Sequence, residues 1–526
     1  MYVHPRYHWP PQTRWNDRPS RSYKWGELNA YVHFPYCRSI CGFCGYEKRL
    51  IEKNGARSFS SHASRQIEKI KCESDGSHAR KSALFFGGGT ASLLQAHDLE
   101  KILVSLQDFG DGDWGEVTLE CEPGTISRSH LAQVKDLGIN RIGVCAQSFD
   151  DKQLKQIGRK HSVKDVFQLI EDCIAVGLDN VHVDLMFNLP GQSVDLWEKT
   201  LRLLCHLPVH HVSTYKLYVY KHSLYDRLGI APRPEHESDE ETAIAQKMYE
   251  MIPDVFEDSG LIQYSLTEHA APGSECSYVR GCFDGTDVLP IGPSAFGRCG
   301  YELLDNSPYA NLYGRKDFGG DFDRALALSL TEAFKRDVIL GLWLLSVDIE
   351  ALAERHSVEV GTRLRSLLNS LEAKDALKQH DGCVLLDPRH RFFCGFAMQE
   401  LAALPSVYWA SPRKRDLASI NQWGSATAPV NHRYPKLDAV ISMMRRDPHF
   451  FAAFTQNPVE TVEEAVGVEF DRGIGLLLEV VGSVKNVDQD GELNEVRVLW
   501  ANIVQEYSSK ASTRSEIRAR KGHVRF

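Results

Sequence analysis

Short apolar runs alternate with helical stretches through the first half of the chain, and this alternation is typical of parallel β-α units. The apolar runs are rich in β-branched and aromatic residues, and six of them begin at Ala30, Ala83, Val117, Arg141, Val181 and His211. Apolar residues at helical spacing separate them at 60–72, 99–106, 131–137, 166–176 and 196–204. The pattern predicts an α/β fold over residues 27–310, a partial (β/α)6 barrel of the TIM type, with reactive groups at the carboxyl ends of its strands.

The rest of the chain has a different pattern. Apolar residues at helical spacing predict helices at 330–345, 349–356 and 362–373, and 382–396 is typical of two strands about a turn. We therefore predict an α+β domain over 325–403. We further expect an N-terminal arm at 1–26, a linker rich in Pro, Ser and Ala at 404–435, and a helical extension with a basic tail at 436–526.

Alternation within two predicted strands places carboxylates on one face. Asp184 lies opposite the apolar residues of 181–187, and Glu120 lies on the polar side of 117–122. Both side chains are predicted to point into the barrel lumen. An ionised carboxylate there needs a partner. The candidate partners are Arg141 and Arg159.

Three cysteines follow the first predicted strand. Cys37, Cys41 and Cys44 are separated by three and then two residues. This spacing lets one loop wrap a cubane-sized object, whereas a structural zinc site needs four ligands. Gly45 and Tyr46 follow instead of a fourth cysteine, so three thiolates on a four-iron cluster would leave one iron open for chemistry. A zinc site with a distant fourth ligand, or three unrelated thiols, stays open on spacing alone.

A glycine triplet, 87–89, and then Thr90 come directly after the second predicted strand. Glycines at this place let a ligand approach the backbone closely. The segment matches neither the phosphate-loop nor the dinucleotide-binding pattern, so it indicates some other ligand. An ordinary tight turn is the alternative.

Charge and hydropathy limit the classes of partner. The 526 residues include 61 basic and 70 acidic side chains, a formal net charge of −9, which disfavours nucleic acid. No apolar run reaches the ~18 residues of a membrane span, and the N-terminal residues lack the apolar stretch of a signal peptide. We expect a cytoplasmic protein with neither nucleic acid nor membrane as a partner.

Six blocks in order resemble those of radical S-adenosylmethionine (SAM) enzymes, in particular the branch of oxygen-independent coproporphyrinogen III oxidase, HemN, and its relative HemW. The resemblance runs from about Tyr31 to Gly297 and continues weakly to about Leu401. The blocks are Tyr31–Cys44, Phe86–Ser92, Glu120–Thr125, Ala146–Asp150, Gly158–His161 and Asp184–Gln192.

The resemblance implies a [4Fe-4S] cluster whose open iron binds SAM, and reductive cleavage of SAM to a 5′-deoxyadenosyl radical. Its metal ligands would be Cys37, Cys41 and Cys44, and Tyr31 joins them as a candidate catalytic residue. The implied SAM contacts are Gly88, Gly89, Thr90, Glu120, Gln147, Arg159 and Asp184. Arg159 would pair with the SAM carboxylate, and Glu120 or Asp184 would accept from its ribose or amino group.

The resemblance also implies a winged-helix-like C-terminal domain that closes over the substrate as a lid. The expected partners are a small-molecule or peptide substrate and a reducing electron donor such as flavodoxin or ferredoxin. The aromatic and polar residues expected along the pocket are Tyr31, His33, Tyr215, Tyr218 and 262–264.

Three functions are open within the branch. Decarboxylating coproporphyrinogen oxidases have a further cysteine where this chain has Tyr46. Heme chaperones have a His-Asn-x-x-Tyr-Trp block where this chain has Tyr278–Phe283. Class C methyltransferases and cyclopropanases, which residues 41–47 resemble, use two SAM molecules. We favour methylation or cyclopropanation of an sp² carbon in an aromatic, tetrapyrrole or natural-product substrate, with the heme chaperone and the decarboxylase as alternatives.

Overall fold

A computed structural model describes residues 23–52, 55–74, 79–220, 223–231, 236–306, 324–405 and 408–412. The predicted helical extension and basic tail, 436–526, lie outside the described residues. The same holds for most of the predicted N-terminal arm, 1–26, and for most of the predicted linker, 404–435.

The strands fall into one large sheet and three small ones. They are β1 (Glu27–Phe34), β2 (Tyr36–Cys37), β3 (Arg49–Leu50), β4 (Arg80–Gly88), β5 (Glu116–Cys121), β6 (Arg141–Gln147), β7 (Val181–Phe187), β8 (His211–Lys216), β9 (Ile262–Gln263), β10 (Glu268–Ala270), β11 (Asp287–Ile291), β12 (Phe296–Cys299), β13 (Glu302–Asp305), β14 (Arg324–Ala327), β15 (Ser346–Asp348), β16 (Val358–Val360), β17 (Leu377–His380), β18 (Cys383–Leu386) and β19 (Ala410–Pro412).

The helices pack around the large sheet and then form the C-terminal part of the described chain. They are α1 (Gly55–Glu73), α2 (Ala96–Gln107), α3 (Arg128–Asp136), α4 (Asp151–Gln156), α5 (Val163–Ala175), α6 (Val194–Leu204), α7 (Leu224–Leu228), α8 (Asp239–Phe256), α9 (Ser277–Asp284), α10 (Leu330–Gly341), α11 (Ile349–Arg355), α12 (Thr362–Glu372) and α13 (Cys394–Ala403).

The centre of the large sheet is a run of parallel strands in the order β1-β4-β5-β6-β7-β8. These are the six predicted strands, so the predicted barrel of β-α units is confirmed. β11 adds a further parallel strand beside β1, and β10 pairs antiparallel with β8 at the other edge. The barrel is therefore open, and the carboxyl ends of its parallel strands share one face.

Local sequence explains where the barrel helices begin. In α5 the Ser162 side chain accepts from the Asp165 backbone while Asp165 accepts from the backbone of Ser162, a reciprocal cap for the first turn. Ser193 caps α6 and Ser127 caps α3 in the simpler way. The sequence pattern does not predict α4, a single short helix that Asp150 caps.

A second apolar core includes Phe334, Leu364 and Trp409 of the C-terminal part and extends to Phe85 and Tyr278. The predicted pair of strands over 382–396 is wrong in its second half. Only Cys383–Leu386 is a strand, and it pairs with Leu377–His380, whereas Pro388 starts a 3₁₀ turn that leads into α13. A proline without an N–H suits the first turn of a helix, where Asp387 also caps the chain.

Within the described residues, none of the helices combines the length and the apolar character that a membrane crossing requires.

Candidate active site

One cavity of about 270 Å³ opens at the carboxyl ends of the parallel strands. It is walled by the barrel on one side and by α9, β12 and α10 on the other. All the residues predicted as ligands, SAM contacts or catalytic residues line it, namely Tyr31, Cys37, Cys41, Cys44, Gly88, Gly89, Thr90, Glu120, Gln147, Arg159 and Asp184. The structure thus brings the whole predicted set together. The role of each residue stays a prediction.

The cysteine loop leaves β1 and is tied back at both ends. β2 and β3 close its base, where the Ile51 N–H donates to the Cys37 carbonyl at 2.9 Å. At its tip Lys48 Nζ donates to the carbonyls of Cys44 at 2.7 Å and Tyr46 at 2.9 Å. These bonds within the loop, together with the Tyr225 N–H that donates to the Gly42 carbonyl at 3.3 Å, hold the three thiols at the cavity.

The thiols fit a multi-iron cluster better than a single ion. Among the described residues, two sets of three His, Cys, Asp or Glu side chains have ligand atoms within 4.8 Å of one another, and Cys37, Cys41 and Cys44 are not one of them. One zinc ion needs its sulfurs close together, whereas each thiolate of a cubane binds its own iron. Burial raises the pKa of the Cys37 thiol to about 11, so a bound metal is needed to hold it as thiolate.

The glycine segment 87–89, at the end of β4, passes next to this loop. The Gly89 N–H donates to the Phe34 carbonyl, and a Cβ on Gly89 would lie 3.0 Å from Cys37 Sγ. Gly88 has a φ of +107°, where other residues are strained. Glycine is needed here so that the backbone can pass close to the cysteines.

Glu120 and Asp184 project into the lumen, as the alternation predicts. The Gly88 N–H stabilises the charged form of Glu120, but burial and the nearby Asp184 raise the pKa of the Glu120 carboxyl above its ordinary value of 4.5. Asp184 Oδ1 lies 2.9 Å from His182 Nε2. Glu120 and Asp184 together therefore form an acidic centre that suits a cationic ligand.

The predicted partners of these two carboxylates are wrong. Arg159 Nη2 lies 3.5 Å from Glu122, which follows β5 and lines the cavity beside Glu120. Arg141 Nη1 lies 3.5 Å from Glu116, at the opposite end of that strand. Arg141 begins β6 and so cannot reach groups at the carboxyl ends. Arg159 also donates to Cys41 Sγ at 3.6 Å and thus links Glu122 to the cysteine loop.

Gln147 ends β6 in a strained conformation. Its φ is +67°, and the pairing with β7 shifts register between Val144 and Gln147. The Tyr215 hydroxyl donates to Gln147 Oε1. Strain of this kind turns the amide towards the cavity and is common at functional sites.

The predicted pocket residues divide into two groups. Tyr31, Tyr215 and Tyr218 line the cavity. His33 lies behind the wall, with its Nδ1 3.1 Å from the Tyr31 hydroxyl. Tyr264 is also behind it, 2.8 Å from His211, and Gln263 contacts Tyr249 and Arg391 instead. Membership of a strand therefore does not by itself place a residue in the cavity.

The second half of the chain supplies a wall that the sequence pattern did not predict. Tyr278 stacks on Phe85 with ring centroids 4.6 Å apart and on Tyr31 at 5.7 Å, and Phe283 stacks on Trp343 at 5.4 Å. The two aromatic residues of α9 were the available signal, but such residues are equally typical of a core. The cavity thus has a metal-binding end and an aromatic end.

Comparison with known proteins finds relatives for this chain. Residues 31–204 match the radical SAM superfamily. The heme chaperone HemW of Bacillus subtilis is 26% identical over 365 residues, which cover 68% of this chain and 94% of that protein. Radical S-adenosyl methionine domain-containing protein 1, mitochondrial, of Danio rerio is 31% identical over 273 residues, or 52% of this chain and 60% of that protein.

A solved structure has the same fold. Coproporphyrinogen III oxidase (HemN) from Escherichia coli superposes with a TM-score of 0.62 at 19% identity, and the alignment covers 72% of this chain and 91% of HemN.

The chain is therefore similar over residues 31–204 to the radical SAM superfamily, which uses a [4Fe-4S] cluster and SAM, and it has three cysteines that would hold such a cluster. Within that superfamily its similarity is to the HemW and HemN branch. The predicted methyl transfer receives no specific support from these relatives, among which the heme chaperone corresponds to one of the predicted alternatives.

Proposed function

We propose that this chain is a radical SAM enzyme that binds a tetrapyrrole in the aromatic end of its cavity, next to a SAM bound at the cluster. The observation that carries the proposal is the extent of the similarity, because the alignment covers 94% of a heme chaperone and so includes the part that follows the barrel. An alignment of this length also includes Phe283 and Trp343 of the cavity wall.

The barrel side of the cavity is suited to SAM. Bound there, the cluster and SAM supply a one-electron reductant and a 5′-deoxyadenosyl group. The chain itself positions SAM: Glu120 and Asp184 attract its cationic centres, and Arg159 offers a guanidinium to its carboxylate. The backbone beside Gly88 and Gly89 lies open to its amino group.

The aromatic end is suited to a flat ring system. Tyr31, Phe85 and Tyr278 form consecutive stacks, and the Phe283 and Trp343 rings are parallel to within 5°. Offset stacking of this kind favours a planar conjugated ligand over an aliphatic one. A tetrapyrrole has such a face.

Titration of anaerobically reconstituted protein with hemin and with coproporphyrinogen tests the proposal. We expect one tetrapyrrole per chain, and we expect Tyr278→Leu to weaken its binding about tenfold, the loss of one aromatic stack. Tyr301→Leu is the matched control, because Tyr301 is exposed and does not line the cavity. Absence of binding, or equal binding by the two variants, would reject the tetrapyrrole.

Methyl transfer is the second candidate, and one observation favours it. Tyr278 stands in the block where heme chaperones have His-Asn, so the wall offers a phenol ring and not an imidazole for iron. Formation of S-adenosylhomocysteine together with 5′-deoxyadenosine would support transfer of a methyl-derived carbon. Release of CO₂ from coproporphyrinogen would instead support the decarboxylase.

A further inference from the structure

A buried group of metal-ligating side chains lies one layer below the acidic centre of the cavity. His182, His211 and Glu268 have ligand atoms within 4.8 Å of one another. Their side chains are 4%, 0% and 1% exposed. The strands explain the grouping, because His182 is paired with His211 between β7 and β8, and Glu268 is paired with Ser213 between β10 and β8.

The atoms of this group are set for a single ion. His211 Nε2 is 3.5 Å from Glu268 Oε2. His182 Nε2 is 2.7 Å from Ser213 Oγ and 2.9 Å from Asp184 Oδ1, and Ser213 Oγ in turn contacts Glu268 Oε2. Ligands of one tetrahedral ion lie about 3.3 Å apart when each is ~2.0 Å from the metal.

The imidazole nitrogens that face this group each meet two oxygens. A neutral imidazole has one N–H, yet His182 Nε2 faces Ser213 Oγ and Asp184 Oδ1, and His211 Nε2 faces Glu268 Oε2 and, at 2.8 Å, the Tyr264 hydroxyl. Within the part of the chain that the structure describes, neither Asp184 nor Glu268 forms an ion pair with Lys or Arg. Arg141, the buried cation of this region, is paired with Glu116. Two carboxylates without a cation are costly when buried.

We propose that His182, His211 and Glu268 bind a divalent transition-metal ion, zinc or iron(II), that is separate from the cluster. Two imidazole nitrogens and one carboxylate are a donor set that these ions prefer. His182 and Ser213 also line the cavity, so an ion can enter from it. Asp184 Oδ1, which lies 2.9 Å from His182 Nε2, would be available as a further ligand.

The ion has a structural consequence. It joins β7, β8 and β10 at the place where the sheet changes from parallel to antiparallel pairing. It also supplies positive charge beside Asp184 and so fixes the orientation of that carboxylate. Neither effect depends on which substrate the enzyme takes.

Zinc binding to the reconstituted, chelator-washed full-length protein tests the proposal. After titration with Zn²⁺ and desalting, we expect one zinc per chain in addition to the cluster iron. The extended X-ray absorption fine structure of zinc should show nitrogen and oxygen neighbours at about 2.0 Å, and no sulfur at about 2.3 Å. Zinc should also raise the melting temperature.

Two variants locate the site, and a third is the control. His211→Gln and Glu268→Gln should each lose the zinc and keep the cluster iron. In Glu268→Gln, the glutamine keeps the size of the glutamate and one hydrogen-bonding oxygen. His210→Gln should retain both metals, because His210 is the next residue along the chain but is exposed. No zinc in the wild type, sulfur neighbours around it, or equal zinc in all three variants would overturn the proposal. These measurements do not involve SAM cleavage or tetrapyrrole binding.

Discussion

At the scale of single residues, the acidic centre makes stability depend on pH. Burial and Asp184 raise the pKa of the Glu120 carboxyl above 4.5, so the folded chain holds this proton more tightly than the unfolded chain does. The stabilisation is present below the ordinary pKa and is lost as the pH rises through the folded value. A tenfold difference in proton affinity between the folded and unfolded chains corresponds to about 1.4 kcal/mol in the free energy of unfolding.

We therefore expect cluster-free wild-type protein to lose stability as the pH rises above 4.5, and Glu120→Gln to lose less, in urea unfolding at a series of pH values. The exposed Glu100→Gln variant should follow the wild type. Parallel pH curves for wild type and Glu120→Gln would show that this carboxyl does not titrate in the range.

The sequence predicts which way these side chains point but not what they meet. Alternation along β5 and β7 is enough to place Glu120 and Asp184 in the lumen, because successive side chains of a strand take opposite faces. The pairing of Arg159 with Glu122 depends on how a loop after α4 folds back. No periodicity encodes that contact.

At the scale of elements, the end of β4 is the place where a small change should matter most. In Gly88→Ala the new Cβ would lie 2.9 Å from both His33 Nδ1 and the Phe34 carbonyl, at a φ of +107°. Strain and overpacking together should cost about 3 kcal/mol in urea unfolding. Gly112→Ala, at a φ of +76° with nothing within 4 Å, isolates the backbone strain and should cost about 1 kcal/mol. Equal losses would mean that the contacts with β1 relax freely.

The elements themselves were predictable where one physical signal dominated. Six buried strands and the helices that separate them follow from apolar periodicity and from caps such as Ser162, whereas the 18-residue α8 was not predicted. The structure of the stretch after Leu386 was not predictable in this way, because its apolar residues suit either a strand or a helix. Pro388, together with the capping Asp387, favours the helical turn.

At the scale of the whole molecule, the cavity exists because the part after the barrel closes over it. Trp343 is buried and stacks on Phe283 across this wall. Trp343→Ala should cost about 3–5 kcal/mol in unfolding and should also weaken tetrapyrrole binding. Trp197→Ala, an equally buried tryptophan outside the cavity, should lose comparable stability without changing that affinity. A matching loss of affinity in both would assign the effect to general destabilisation.

This closure was only partly predictable. The helices α10, α11 and α12 follow from their spacing, whereas α13 does not. The cavity also brings α9 and α10 opposite the cysteine loop, hundreds of positions away in the chain. Such contacts depend on packing between the two apolar cores. Local patterns carry no information about them.

The most direct test of the account is iron and SAM chemistry at the three cysteines. Anaerobic reconstitution should give a brown protein with about four iron ions per chain. With a strong reductant and SAM it should form 5′-deoxyadenosine. Cys41→Ala should lose both properties, whereas Cys72→Ala, at an exposed cysteine outside the cavity, should keep them. A colourless, iron-free wild type that leaves SAM intact after reconstitution would contradict the account.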